Sequence, residues 1–335
     1  MIICTSHSGL INTFVENIEQ KNYYSIRWSQ KIPNRIEANP IASSDCELVY
    51  VADYSGLIQA FDLKSGRIVW QSKTNDQIKC SPIIFTDSSI GELILCGSYD
   101  HNLYCWQQSN GYIRWKIDVN QSPIFASPVV WYDQLGNNWF AVVCTLNGTI
   151  GCYHLIDGQQ RWKYNHSNRP IFSTPKIFKD NLIVGMTDSR LISISLQNGL
   201  IIWELLLEKM PIFSSPCLVK QNDNDDDCQI IIGTNGCSIM CTKFNSKQPE
   251  WIFKTESNVY ADIIYLTEFE RLLAIETNGK IHLLNPNDGQ SIPINGFDHF
   301  NAEIFSSPVY NVNRKTFLIG CRDSYVHCLS LKESV

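Results

Sequence analysis

Apolar positions along this chain come in short bursts. Leu57-Ile58-Gln59-Ala60-Phe61 alternates with the period of a half-buried strand, and Leu93-Ile94-Leu95-Cys96-Gly97 is a continuous apolar run closed by glycine. Polar turns separate the bursts, as in Tyr99-Asp100-His101-Asn102 and Leu146-Asn147-Gly148. Runs of this kind predict strands, and no segment keeps a helical period for three turns. Proline opens several runs, as in Pro128-Val129-Val130-Trp131. That position suits the first residue of a strand, where no ladder donor is needed.

The bursts repeat. Gly-x-x-x-Trp occurs as Gly66 to Trp70, Gly111 to Trp115, Gly158 to Trp162 and Gly199 to Trp203, and Trp28 and Trp251 continue the series with Tyr24 and Lys247 in the glycine position. The intervals between these tryptophans are 42, 45, 47, 41 and 48 residues. Twelve residues before each of the last five stands an aliphatic: Ile58, Leu103, Ile150, Leu191 and Ile239. Ile281 extends this pattern to Pro293, where a seventh tryptophan is lost. A small residue followed by proline keeps step: Asn39-Pro40, Ser81-Pro82, Ser127-Pro128, Thr174-Pro175, Ser215-Pro216 and Ser307-Pro308, with Tyr260-Ala261-Asp262-Ile263 as a degenerate copy.

Each period therefore predicts four short strands, the fourth ending at the tryptophan. One four-stranded sheet has two apolar faces and cannot bury either alone, whereas stacked repeats bury both. A sustained period of this length predicts an all-β propeller of four-stranded antiparallel blades. Residues 38–295 supply six complete blades, 1–28 an incomplete first blade without its first strand, and 304–331 an incomplete last blade. The whole chain, 1–335, reads as a single propeller. Eight blades are expected; seven result if the two ends share one. The missing first strand makes the start of the sequence read as truncated.

The recurring tryptophans Trp28, Trp70, Trp115, Trp162, Trp203 and Trp251 are large plates suited to the gap between blades. An aromatic precedes several small-proline steps: Phe125, Phe172, Phe213 and Phe305. Two readings stay open for these four. They pack at the entry to the first strand, or they ring one mouth of the propeller as a docking surface. Trp106 takes the third-strand position of Phe61 and Tyr153 and reads as core. Trp139, after the loop Gly136-Asn137-Asn138, is the candidate exposed anchor for a partner.

Composition narrows the function classes. Hydrophobic residues make up 44% of the chain and charged residues 18%, with a net charge of −6 and no Lys/Arg run. This disfavours disorder, nucleic-acid contact and an anionic membrane surface. No apolar run reaches the length of a bilayer span, and the N-terminus has no signal-peptide pattern. The 13 cysteines include no C-x-x-C pair. They read as small buried hydrophobes in a reducing cytoplasm. Cys237-x3-Cys241 has the wrong spacing for a zinc knuckle. The acidic run 222–227 lacks the glycine turn and terminal Glu of an EF-hand and reads as a solvated loop. The seven histidines are scattered, with no catalytic or metal-ligand clustering. No catalytic, cofactor-binding or metal residue is assigned.

The combination of small-Pro, paired strands and Gly-x-x-x-Trp, with Phe61-Asp62-Leu63-Lys64-Ser65-Gly66-Arg67-Ile68-Val69-Trp70 as its clearest copy, resembles the PQQ-like (quinoprotein-like) repeat family. The Gly-His and Trp-Asp dipeptides of the rival WD40 pattern do not occur. A narrower resemblance rests on Glu303-Ile304-Phe305-Ser306-Ser307-Pro308-Val309, on Leu318-Ile319-Gly320-Cys321-Arg322-Asp323-Ser324-Tyr325-Val326-His327-Cys328-Leu329, and on Pro211-Ile212-Phe213-Ser214-Ser215-Pro216-Cys217. These stretches resemble the carboxyl-terminal propeller of the β-alanine-activating enzymes, also called acyl-CoA synthetase family member 4 or aminoadipate-semialdehyde dehydrogenase homologue. The resemblance implies a larger enzyme that joins an adenylation domain, a carrier domain and this propeller and that activates β-alanine with ATP. Only the propeller pattern is recognisable here, so no residue inherits that activation chemistry. The expectation is a non-catalytic interaction or scaffold module whose partner is a protein or the adenylation and carrier domains. PQQ-dependent dehydrogenases share the repeat and define the alternative, a quinone-dependent oxidoreductase; a free-standing scaffold is another. Neither a secretory signal nor adjacent paired cysteines support quinone binding, and fold alone does not license the cofactor.

Overall fold

The computed structural model describes residues 1–16, 24–207, 210–220, 228–246, 248–294 and 298–330. The acidic run 222–227 and Lys247 lie outside these. The described residues form eight antiparallel sheets in chain order. Six have four strands and span 41–73, 83–118, 129–165, 176–206, 217–254 and 264–292; the first (2–31) and last (309–330) have three. This is the all-β propeller class, with eight blades. The chain divides into two compact units, residues 1–170 and 171–335, of four sheets each. No helix in the described residues is long and apolar enough to cross a membrane.

Within a sheet the strands run antiparallel in sequence order, and the middle two carry the core. Leu48–Ala52, Leu57–Asp62 and Cys228–Thr234 are buried on nearly every residue. Both faces are covered, so these strands read as continuous apolar runs. One cluster joins Tyr50, Ile58 and Trp70 to Ile94, Cys96 and Tyr104 of the next sheet; in the second unit Ile231, Ile239 and Trp251 meet Leu272, Ala274 and Leu284. The fourth strand is different. Ile68–Lys73 exposes every residue except Trp70 and the half-buried Ser72.

That fourth strand departs from expectation in two ways. It runs past its tryptophan, since Lys73 pairs with Leu57. It also carries a bulge before the tryptophan: Trp70 pairs with Ala60, yet the neighbouring Phe61 pairs with Ile68. The same shift recurs beside Trp28, Trp115, Trp162 and Trp203. Two residues facing one locally increase the twist of the strand and re-aim the side chain that follows.

The bulge aims the indole at the next sheet. Trp28 Nε1 donates to the Leu63 carbonyl, Trp70 to Gln108 and Trp115 to Leu155, each at 2.9 Å. In the second unit Trp251 donates to Pro286 at 2.8 Å. The glycine three residues past each acceptor explains the Gly-x-x-x-Trp motif. A Cβ on Gly111, at φ +70°, would sit 2.3 Å from the Trp70 ring, and one on Gly66 would sit 2.7 Å from Trp28. Gly66, Gly111, Gly158 and Gly289 thus receive Trp28, Trp70, Trp115 and Trp251, the tryptophans of the preceding repeats. Where Lys247 replaces glycine, Trp203 packs edge-on to Phe244, and its Nε1 has no hydrogen-bond partner among the described residues.

Candidate functional site

The small-proline step positions the surface of interest. In the second unit it reads Ile-Phe-Ser-Thr, Ile-Phe-Ser-Ser, Val-Tyr-Ala-Asp and Ile-Phe-Ser-Ser, starting at 171, 212, 259 and 304. The first residue is buried in every copy. The third, where it is serine, ties the segment to its own sheet: Ser173, Ser214 and Ser306 donate to the carbonyls of Gly185, Gly233 and Gly320 at 2.7, 2.9 and 2.6 Å. The fourth joins neighbouring sheets. Thr174 N donates to Ser215 Oγ at 3.1 Å, Ser215 N to Asp262 Oδ1 at 2.7 Å, and Asp262 N to Ser307 Oγ at 2.9 Å. In the first unit Asn39 N and Ser81 N make the same bonds to Ser81 and Ser127. A short side chain bearing an oxygen is what this seam requires.

With its neighbours tied down, the second residue of each copy is held in register. Phe172, Phe213, Tyr260 and Phe305 form a continuous row with ring centroids 5.4, 5.0 and 5.7 Å apart, all tilted. The first three are half-buried and Phe305 is 44% exposed. Arg322 caps the end, its guanidinium 4.4 Å above the Phe305 ring while it pairs with Glu303 at 2.5 Å. Three of the four aromatics singled out in the sequence, Phe172, Phe213 and Phe305, thus pack in one row with Tyr260.

The same register position is charged in the first two sheets to carry it, Glu37 and Lys79, and aromatic again at Phe125, which is half-buried. Lys79 lies 4.9 Å over Tyr54 and 4.5 Å over Tyr99, Arg35 lies over Tyr54 at 5.0 Å, and the Tyr54 hydroxyl bonds Glu37. Burial raises the Tyr99 phenol above its ordinary range, against the opposing pull of Lys79. This face of the first unit offers cations on phenol rings; that of the second offers open rings and one guanidinium. Stacked rings and guanidinium–ring pairs are groups that make non-covalent contacts.

The tryptophans Trp28, Trp70, Trp115, Trp162 and Trp251 are buried, and Trp203 is half-buried. Trp106 is fully buried and donates to Ser72 Oγ at 3.0 Å. Trp139 differs from the exposed anchor expected. Its ring packs edge-on to Phe85 at 4.8 Å and against Tyr132 at 4.8 Å, filling the gap between sheets 83–118 and 129–165. The exposed apolar residue of that hairpin is Leu135. Sequence reasoning did not select Arg322, whose role depends on a fold contact. It also passed over Cys321, Asp323 and His327, whose donor atoms lie within 4.8 Å of one another.

Comparison with known proteins places this geometry. Residues 1–331 match the family model described as the β-propeller of the β-alanine-activating enzyme. The β-alanine-activating enzyme of Drosophila melanogaster is 25% identical over 98% of this chain and 32% of its own length. That of Homo sapiens is 34% identical over 35% of this chain and 10% of its own length. The chain thus spans about a third of the fly relative. Among solved structures, BamB from Moraxella catarrhalis superposes with a TM-score of 0.75 at 13% identity, covering 97% of this chain and 92% of that one. Sqt1 from Saccharomyces cerevisiae gives 0.79 at 16%, covering 98% and 91%. At these identities the likeness is one of fold.

Proposed function

The chain belongs to the β-propeller family of the β-alanine-activating enzyme, and from that premise we propose that it is a non-catalytic recognition module. Its partner on this reading is the adenylation and carrier portion of a β-alanine-activating enzyme, bound at the row Phe172, Phe213, Tyr260 and Phe305. The observation that carries the reading is the row itself: four rings in contact, held by a hydrogen-bonded seam, with open faces and a cation at one end. Rigid aromatics beside an arginine are the residue types that dominate interface energetics. The module works in the cytoplasm and needs no quinone for this role.

The test is a calorimetric titration of the chain with a purified adenylation–carrier protein. Saturable binding is expected, and Phe213→Ala with Phe305→Ala should weaken it at least about tenfold without altering the circular dichroism melt. Binding that ignores both substitutions, or no binding at high micromolar concentration, overturns the proposal.

A further inference from the structure

We propose that Cys321, Asp323 and His327 form a binding site for a borderline divalent cation, with zinc the ion their chemistry matches best. The site adjoins the aromatic row, since Arg322 between two of its ligands packs on Phe305, but it is argued from its own donor atoms and does not depend on the recognition role. It is built on the turn between strands Thr316–Gly320 and Val326–Ser330. Cys321 N donates to the Tyr325 carbonyl at 3.1 Å and Ser324 N to the Cys321 carbonyl at 3.3 Å, with Ser324 in the left-handed region at φ +71°. This closed turn fixes Cys321 and Asp323 on the loop and His327 on the strand leaving it.

The donor set is thiol, carboxylate and imidazole, with the three ligand atoms within 4.8 Å of one another. Tetrahedral zinc with bonds of 2.0–2.3 Å needs ligand atoms about 3.3–3.8 Å apart. The observed limit of 4.8 Å is about 1 Å wider than that spacing. Asp323 Oδ1 already accepts from Tyr325 N at 2.9 Å, and its Oδ2 lies 2.7 Å from His327 Nε2. Phe300 packs edge-on to the imidazole at 4.8 Å and steadies it. Cys321 and His327 are half-buried and Asp323 is exposed, so an ion has an open path and a water completes the shell.

Comparison with the sibling turns shows that the turn itself does not require this donor set. The corresponding residues are Ser98, Asp100 and Tyr104 in the third sheet and Thr145, Asn147 and Gly151 in the fourth. There a hydroxyl at the first position bonds the turn: Asp100 N donates to Ser98 Oγ at 3.2 Å, and Thr149 N to Thr145 Oγ1 at 3.1 Å. The Tyr104 hydroxyl reaches Asp100 at 2.5 Å. In the last sheet sulfur replaces the hydroxyl, and its contacts to the carbonyls of Ala302 and Glu303 are long, 3.8 and 3.9 Å. Imidazole stands where the third sheet has phenol, as His282 does in the sheet 264–292, where it meets Glu276 at 2.6 Å. Both changes run from oxygen toward borderline-soft ligands. Arg322 is turned away onto Glu303 and Phe305, so its charge is not held against the site. Binding converts the Cys321 thiol to a thiolate and releases one proton to solvent, with no redox change.

Cobalt(II) serves as a spectroscopic probe on the metal-free chain. We expect a saturable near-ultraviolet thiolate-to-cobalt charge-transfer band at one equivalent, reversed by added zinc. Cys321→Ser should abolish it, and His327→Gln should weaken affinity by more than the tenfold that outer-shell changes cost. No saturable band overturns the proposal. So does an unchanged band in Cys321→Ser, which places the ion on another cysteine. The far-ultraviolet spectrum of both variants should match wild type; if Cys321→Ser fails to fold, the His327→Gln titration decides alone.

Discussion

Replacing Gly111 by alanine tests the account of how successive blades lock together. Two penalties act at once. Alanine at φ +70° occupies the left-handed region, at a cost of about 1–2 kcal/mol. Its Cβ would also stand 2.3 Å from the Trp70 ring. Either the indole or the glycine loop must move, an overpacking strain of about 1–3 kcal/mol. Movement endangers the bond from Trp70 Nε1 to Gln108, worth about 1 kcal/mol. The whole comes to about 3–6 kcal/mol. Gly91 is the internal control: its φ is +94°, but nothing lies within 4 Å of an added Cβ. Gly91→Ala should cost only the backbone part, so Gly111→Ala should exceed it by about 2–4 kcal/mol. Urea unfolding followed by far-ultraviolet circular dichroism measures both, provided the m-values agree. In a Trp70→Leu background the excess should vanish, giving a coupling energy of the same size. Equal costs for the two alanines, or an excess that survives Trp70→Leu, would refute the inter-blade contact as the reason for the motif.

Other consequences follow from the same structure. Ser215→Ala removes the acceptor of Thr174 N, and the stranded donor should cost about 1–3 kcal/mol in the same unfolding assay, whereas Ser215→Thr should cost less. Asp133 is buried and paired with Arg161 at 2.6 Å, and that guanidinium also lies over Trp131 and Phe140 at 5.2 and 4.6 Å. Arg161→Ala should therefore cost about 3–5 kcal/mol, and Arg161→Lys should recover only part of it, since lysine lacks the planar fork. Burial alone would raise the carboxyl of Asp100, but hydrogen bonds from the Tyr104 hydroxyl and the amides of Asn75 and Asn102 overcome it and hold the group below the usual carboxylate range. A depressed folded-state pKa contributes stability above the unfolded value, lost as pH falls through the folded one. Asp100→Asn should thus lose stability at neutral pH and flatten the decline below about pH 4. Burial pushes the Cys105 thiol up to about 12, whereas Cys46 and Cys328 are exposed. Alkylation of the native protein at pH 8 should mark the latter two first and leave Cys105 unmodified until denaturant is added; early modification of Cys105 would contradict its burial.

Much of the fold was legible because each repeat spells it out. The period, the strand-opening proline and the turn glycines are local signals, and the strands Val129–Asp133, Leu57–Asp62 and Gly91–Gly97 lie where those signals put them. The meaning of the motif was not legible. Gly111 and Trp115 are neighbours in sequence, but the glycine serves Trp70, and only the stacking of sheets reveals that pairing. The bulge was hidden as well, because its extra position holds arginine at Arg27, Arg114 and Arg161 but an aliphatic at Val69 and Ile202, so no single residue type marks it. Trp139 looked like an anchor because it follows a polar loop, yet alternation from Phe140 turns its ring onto Phe85 and Tyr132. The aromatic row was partly visible: three of its four rings stand before small-proline steps, but Tyr260 stands in a copy without proline, and its place between Phe213 and Phe305 is a fact of the fold.

The most direct test of the proposed recognition surface is hydrogen–deuterium exchange of the chain, with and without an adenylation–carrier protein of the β-alanine-activating enzyme. Slowed exchange should concentrate at 171–175, 212–216, 259–263 and 304–308, the four segments that carry the aromatic row. Protection confined to other segments, or exchange unchanged at saturating partner, would contradict it.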